Sequence, residues 1–434
     1  MLQPEEHVVI VGAGTFGLST AVELLRKGHK NLTILDPYPV PSPLSAGNDV
    51  NKVFQSRVED EFYSELALES LRRWKTDPLY KPAFHETGII YAAVGEKAVE
   101  EIQRRKQALK NSGKEIVELD EPEHFARLIK YDMNIEDLKL SENNRFTNWK
   151  GYHQKTECGW TFASLALKNV AEECVKLGAK IVVDKADTLL YDENDSCIGV
   201  KTYCGEFIYA KKVVICAGAN SIKLLDFKGQ LLAKCWTVGH IKLSDEEAKS
   251  LKNSPVVLNL DEGFFFEPDG NNDLKFCNEF PGYINMEKIP SNQNLVSVPI
   301  YKSEIPSEAE DQMRGFLTQV FPQLAERSFN VTKICWCTDT PDRHFLFCEH
   351  VQGLVLGTGD SGKGFKYMPV VGDYISEIVL KGEQSLPKTK REAWAWRPTS
   401  ERDIYALQGR WGGSNAIKDL KDVKNWTTAK RSKS

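Results

Sequence analysis

The stretch 334–347, ICWCTDTPDRHFLF, sets Cys335 and Cys337 one residue apart in what reads as a short strand. Two thiols this close could hold a metal, form a disulfide or do covalent chemistry. Zinc fits poorly: structural zinc sites draw on two ligand pairs, and no second Cys or His pair at ligand spacing follows, so no residue is assigned to a metal. A disulfide between positions i and i+2 of a strand is strained, because the Cα atoms lie near the limit that the bond spans. Two readings stay open on these residues alone: buried core cysteines, or a thiol that forms a covalent bond.

A second constellation lies near the start. Gly12, Gly14 and Gly17 of GAGTFG follow the apolar run Val8–Val11 and precede the helical pattern LSTAVELLRKG; the next strand-like run, NLTILD, closes on Asp36. The first glycine permits a tight turn, the second lets the backbone approach a pyrophosphate, and the third lets the helix pack closely. The helix N-terminus favours negative charge, with Thr15 and Phe16 at its opening turn, and Asp36 can accept hydrogen bonds from ribose hydroxyls. With its strand, helix and acid this fingerprint points to a dinucleotide, without separating FAD from NAD. Further glycine turns occur in CAGA (Ala217, Gly218) and GTGDSGKGF (Asp360, Gly364, Phe365). A protein that wraps FAD with several distant segments would need them. In LKFCNEF, period-two alternation puts Lys275, Cys277 and Glu279 on one strand face, which taken blind is a solvated face.

The elements that must position these groups read as α/β. At 434 residues the chain exceeds one ordinary core, so two connected domains are expected. Hydrophobic residues at 41% indicate a globular protein. A net charge of −5 gives no overall attraction to nucleic acid or to an anionic membrane, and the run HVVIVGAG is too short and glycine-rich for a signal or a transmembrane span. The ten cysteines, scattered with no signal peptide ahead of them, read as reduced thiols of an intracellular compartment. The ending Ser-Lys-Ser is an imperfect peroxisomal address, so cytoplasm and peroxisome are both expected locations. Strand, glycine turn and helix recur at KKVVICAGANS and at LVLGTGDSGKGFKYMPVVGDYISEIVL, whereas residues 226–330 alternate like a face-exposed antiparallel sheet. The expected division is a Rossmann-like dinucleotide-binding domain from 1–85, 150–225 and 331–385, interleaved with an α+β substrate domain, built on an antiparallel sheet, from 86–149, 226–330 and 386–434.

Together, the glycine fingerprint, SAGNDVNK (45–52), CAGA, ICWCTDT and SGKGFK resemble the fungal fructosyl amino acid and fructosyl peptide oxidases, or amadoriases, within the monomeric sarcosine oxidase family. The resemblance extends over nearly the whole chain, through LDFKGQL, GFFFEPD, NEFPGY, GRWGG and DVKNWT. It implies FAD joined through a thioether to Cys335, which answers the question raised by the cysteine pair and leaves Cys337 as a small buried hydrophobe. It implies oxidation of a fructosyl amino acid or short fructosyl peptide to an imine that hydrolyses to glucosone and free amino acid, with oxygen reduced to hydrogen peroxide. Lys275 would activate oxygen, Arg410 would grip the substrate carboxylate, Glu279 would face the amine, and Lys366 would meet the sugar end or the flavin. Ser45 and Lys52 would border the flavin. In FQSRVED, Gln55 stands where relatives commonly have arginine, with Arg57 a candidate substitute, and this loop bears on substrate size. Family members commonly act as monomers. Alternative readings are an oxidase of sarcosine, pipecolate or another secondary amine, a non-catalytic flavin-binding sensor of glycated amines, and an NAD-dependent dehydrogenase.

Overall fold

The structure is a computed structural model and describes residues 2–56, 60–129, 145–289, 294–398, 410–414 and 416–427. Arg57 and the terminal Ser-Lys-Ser lie outside the described residues.

The apolar run Val8–Val11 (β1) is buried at every position and lies at the centre of a six-stranded sheet. It pairs in parallel with Leu32–Asp36 (β2) on one side and Lys212–Ile215 on the other. Lys180–Val183 extends the sheet beyond β2, and Leu354–Thr358 extends it beyond Lys212–Ile215, both in parallel. Leu346–Val351 closes the edge antiparallel. Strands buried on both faces must be apolar throughout, which is why these runs do not alternate. One face carries the helices Thr15–Arg26 (α1), Ala163–Lys176 and Met368–Lys381. Helix α1 meets Met368–Lys381 at backbone distance, since a Cβ on Gly372 would sit 2.0 Å from the Ser19 carbonyl oxygen. The other face is covered by an antiparallel trio that includes Ala186–Tyr191 and Cys197–Thr202.

A ten-stranded, mostly antiparallel sheet forms the second layer. Its centre holds Leu232–Lys242, Asp273–Asn278, Gly263–Phe265, Val256–Asn259 and Ile89–Ala93. The expected open face is not found. The helix Ser307–Val320 and the aromatics Trp149, Phe265 and Phe316 cover one side, while Lys275, Cys277 and Glu279 look into a cavity shared with the first layer. Two strands also move across the expected boundaries. Lys150–Gln154 pairs with Ile89–Ala93, and Val331–Asp339 pairs over its whole length with Leu232–Lys242, so both belong to the ten-stranded sheet. In the other direction, the helix Lys388–Trp394 packs Trp394 into the first layer's core. Cross-strand pairing and aromatic burial decide membership here, and neither is visible in chain order.

Candidate active site

The turn between β1 and α1 is built by close approach. Gly12 has φ +109°, and a Cβ there would lie 2.4 Å from the Cys216 carbonyl oxygen; a Cβ on Gly17 would lie 1.8 Å from the Gly12 oxygen. Only glycine fits either position. A Cβ on Gly14 would meet nothing closer than the Ser45 hydroxyl at 3.5 Å, so its openness serves the space in front of it. Helix α1 has no side-chain cap, and its first N–H groups, with Thr15 and Phe16, face the cavity. Asp36, at the end of β2, accepts from the Ala13 N–H at 2.9 Å and the Tyr38 N–H at 3.1 Å, and burial raises its pKa. These groups form a cradle for a diphosphate with a ribose beside it.

The cavity, about 590 Å³, runs from this cradle to the second sheet. Ser45, Lys52, Ala217, Gly218, Asp360, Gly364, Phe365, Lys366, Lys275, Glu279, Cys335 and Arg410 all line it, so the expected site residues converge from every segment in which they occur. Gly17 alone stays behind the wall, in the helix packing that the fingerprint predicts for it. Cys335 is half-buried on Val331–Asp339 opposite Trp236, with the Lys52 ammonium 4.0 Å from its sulfur. Cys337 is buried but also borders the cavity. Asp360 accepts from the Thr338 N–H at 2.8 Å and hydroxyl at 2.9 Å, and burial pushes it up to about 6.

Sequence reading missed the group that organises this end. Asp49, inside SAGNDVNK, is fully buried and holds Lys52 (β3, Lys52–Gln55) and Lys275, each at 2.7 Å, with Lys333 at 3.8 Å. Burial would raise the Asp49 pKa, but Lys275, Lys52 and Lys333 outweigh it and hold the carboxyl well below its ordinary value. Lys275 also donates to the Asn51 carbonyl at 2.8 Å; burial lowers its pKa, with Asp49 opposing. The only hint in the sequence was the position of Asp49 between Ser45 and Lys52.

Arg410 does not stand as a bare cation. Its Nη1 donates to both Glu279 oxygens at 2.8 Å, and its guanidinium lies 4.4 Å from the Trp236 ring. Burial raises the Glu279 pKa against the pull of Arg410. Lys366 is 5% exposed and is pushed down to about 7 by burial and then by Arg105 and Arg343. Its carbonyl is fixed by the Ser70 hydroxyl at 2.6 Å and the Trp74 indole at 2.8 Å, both from the helix Glu61–Thr76. Arg105, Arg343 and Lys363, which also line the cavity, had no sequence signal beyond Lys363's place in SGKGFK. Among the described residues no cluster of His, Cys, Asp or Glu could hold a metal, and no helix is long and apolar enough to cross a membrane.

The family profile described as FAD dependent oxidoreductase matches residues 7–378. The chain belongs to that family. Its fold matches the fructosamine oxidase (Amadoriase II) of Aspergillus fumigatus, solved in complex with FSA, with a TM-score of 0.91, 39% identity and 99% of each chain covered. It matches the fructosyl peptide oxidase of E. terrenum with a TM-score of 0.88 and 32% identity, covering 98% of this chain and 99% of that one. L-saccharopine oxidase of Schizosaccharomyces pombe is 32% identical over 96% of this chain and 98% of its own length. The protein is therefore an FAD-dependent oxidoreductase that acts on the CH–NH group of a small-molecule amine. A diphosphate cradle at one end of the cavity and buried cations at the other fit that cofactor and that kind of substrate.

Proposed function

We propose that this enzyme oxidises fructosyl amino acids and short fructosyl peptides, carries its FAD on Cys335, uses oxygen as acceptor and acts as a monomer in the cytoplasm or peroxisome. The observation that carries the substrate reading is the paired Arg410 and Glu279 beside Lys275 on one cavity wall, in a chain 39% identical to a fructosamine oxidase. FAD, when bound, supplies the acceptor for a hydride from the carbon beside the substrate nitrogen and passes the electrons to oxygen. The protein's residues hold the substrate for that transfer. Among the described residues, Arg410 keeps its Nε and Nη2 donors for the substrate carboxylate after Nη1 is engaged by Glu279. Glu279, its pKa raised by burial, takes the proton that the amine must lose to release a hydride. Lys275, anchored by Asp49 and the Asn51 carbonyl, offers positive charge to oxygen as negative charge develops there. Lys52, with its charge beside the Cys335 sulfur, supplies the electropositive setting that a thioether-forming thiol needs.

The deciding experiment is an anaerobic titration of the yellow protein with fructosyl-valine, with saccharopine and sarcosine as comparisons. Bleaching by fructosyl-valine supports the proposal. The relationship to L-saccharopine oxidase favours one second reading, in which the chemistry is the same and the amine is saccharopine. Bleaching by saccharopine and not by fructosyl-valine would select it.

A further inference from the structure

A second cavity, of about 300 Å³, lies against the first and has no part in the chemistry above. Its walls are the loop 43–46 on one side and, on the other, residues 301–303 with Thr332–Trp336 of the strand Val331–Asp339. Leu44, Ser45, Ala46, Tyr301, Cys335 and Trp336 line both cavities, so the two meet at the cysteine. Arg410, Glu279 and Lys366 line the first and not the second. Hydrogen bonds fix one wall. The Thr332 hydroxyl donates to the Ser303 carbonyl at 2.6 Å, the Trp336 indole donates to the Ile300 carbonyl at 2.5 Å, and the Asn220 amide donates to the Tyr301 hydroxyl at 2.7 Å.

Lys333 connects this cavity to the buried charges. It lines the second cavity and not the first, yet its ammonium donates to the Asn48 carbonyl at 3.3 Å and stands 3.8 Å from one Asp49 oxygen. The other Asp49 oxygen holds Lys275 at 2.7 Å. Of the three lysines around Asp49, Lys333 is the most exposed, at 33% against 24% for Lys52 and 2% for Lys275. A single carboxylate therefore stands between Lys275 and a cavity that the substrate-binding side chains do not line.

Each turnover takes in one oxygen molecule and returns one hydrogen peroxide, its two electrons and two protons coming from the CH–NH group as that becomes C=N. Amine and imine occupy the space beside Arg410 and Glu279, whose charges offer nothing to a small apolar gas. Pro43, Leu44 and Ile334 give the second cavity apolar walls, which take up an apolar solute more readily than water does. We infer that the second cavity is a separate passage by which oxygen reaches the Lys275 end, and peroxide leaves it, while amine or imine still fills the first. This rests on the proposed use of oxygen as acceptor.

The test plugs the passage from either wall with Ser303→Trp and Pro43→Trp, at exposed positions that line the second cavity and not the first. Each holoenzyme is photoreduced without air, mixed with oxygenated buffer and followed by the return of flavin absorbance. Both plugs should slow reoxidation about tenfold, equivalent to about 1.4 kcal/mol on the barrier, and leave the rate of anaerobic reduction by amine unchanged. Ser303→Ala should behave as the parent. In a Lys275→Met background, where the oxygen chemistry and not its arrival limits the rate, Ser303→Trp should add no further slowing. Xenon, an apolar stand-in for oxygen, should occupy the cavity in pressurised crystals of the parent and be excluded by Ser303→Trp. Unchanged reoxidation in either plugged variant, equal slowing of reduction and reoxidation, or a parent cavity without xenon would overturn the inference. Plugged protein isolated without flavin would also overturn it, by assigning the cavity to the cofactor. Photoreduction needs no amine, so a parent that reoxidises no faster than free flavin is a distinct result: it would refute oxygen as the acceptor, and the passage with it.

Discussion

Asp49→Asn isolates the charge that organises the active site, because the new side chain keeps the shape and removes the anion. Asp49 and Lys275 are 1% and 2% exposed, so water cannot replace the lost partner. Lys275 would then be left beside Lys52 and Lys333 with no counter-charge among these groups, and the cheapest response is to shed its proton. From an ordinary lysine pKa of about 10.4, doing so at pH 7 costs roughly 4.6 kcal/mol, from about 3.4 units at 1.36 kcal/mol each. Breaking a buried pair by removing one partner costs ~3–5 kcal/mol, and the two routes agree. The pH dependence follows. A buried lysine whose folded pKa is depressed loses stability as pH falls below its unfolded value, so the deficit of the variant should shrink by about 1.4 kcal/mol per unit as pH rises from 7 towards 10. Urea unfolding at pH 7, 8 and 9, with flavin occupancy followed by absorbance, measures both quantities. A variant within about 1 kcal/mol of the parent at pH 7, or a deficit that grows with pH, would refute this account of the cluster. Lys275→Met added to Asp49→Asn should recover a large part of the loss.

Lys275→Met alone should leave anaerobic bleaching by substrate intact and slow the return of flavin colour when air is admitted; an unchanged return would remove Lys275 from the oxygen step. Cys335→Ala should release its flavin on acid precipitation, and flavin that stays with the polypeptide would place the attachment elsewhere. Arg410→Ala should raise the KM for substrate by about tenfold to a hundredfold, the equivalent of a charged hydrogen bond of ~1.5–3 kcal/mol, and it should lower stability because Glu279 is left buried without its partner. Glu279→Gln in that background should restore stability but not KM. With Lys366 near 7, its charge is present below that pH and fades above it. Substrate binding should therefore weaken as pH rises through 7, a limb that Lys366→Met should flatten.

The chemistry on single elements was legible in the sequence, because local spacing carries it. The fingerprint placed Gly12, Gly14 and Gly17 in their three separate roles, and alternation placed Lys275, Cys277 and Glu279 on one face. That this face was buried could not be read, since its cover comes from other segments. The Asp49 cluster joins residues 226 positions apart, and the charge balance at Lys363 depends on Arg343 and Lys366 meeting it in space. The interleaved division failed at Lys150–Gln154 and Val331–Asp339 for the same reason: a strand's own composition does not say which sheet edge it will join.

The order of strands in the six-stranded sheet also bears on synthesis. Lys212–Ile215 pairs with β1 on one side, but its other neighbour, Leu354–Thr358, is made much later. At ~5–20 residues per second, the ribosome takes on the order of ten seconds or more to supply it. During that interval the nascent chain presents an unpaired apolar edge of the kind that recruits other strands. Lys366 and Arg410 emerge later still, so the cavity is incomplete until most of the polypeptide exists. Slow late translation or scarce chaperone capacity should therefore lower soluble yield through aggregation of the unfinished sheet, and truncations before residue 358 should be insoluble rather than merely inactive.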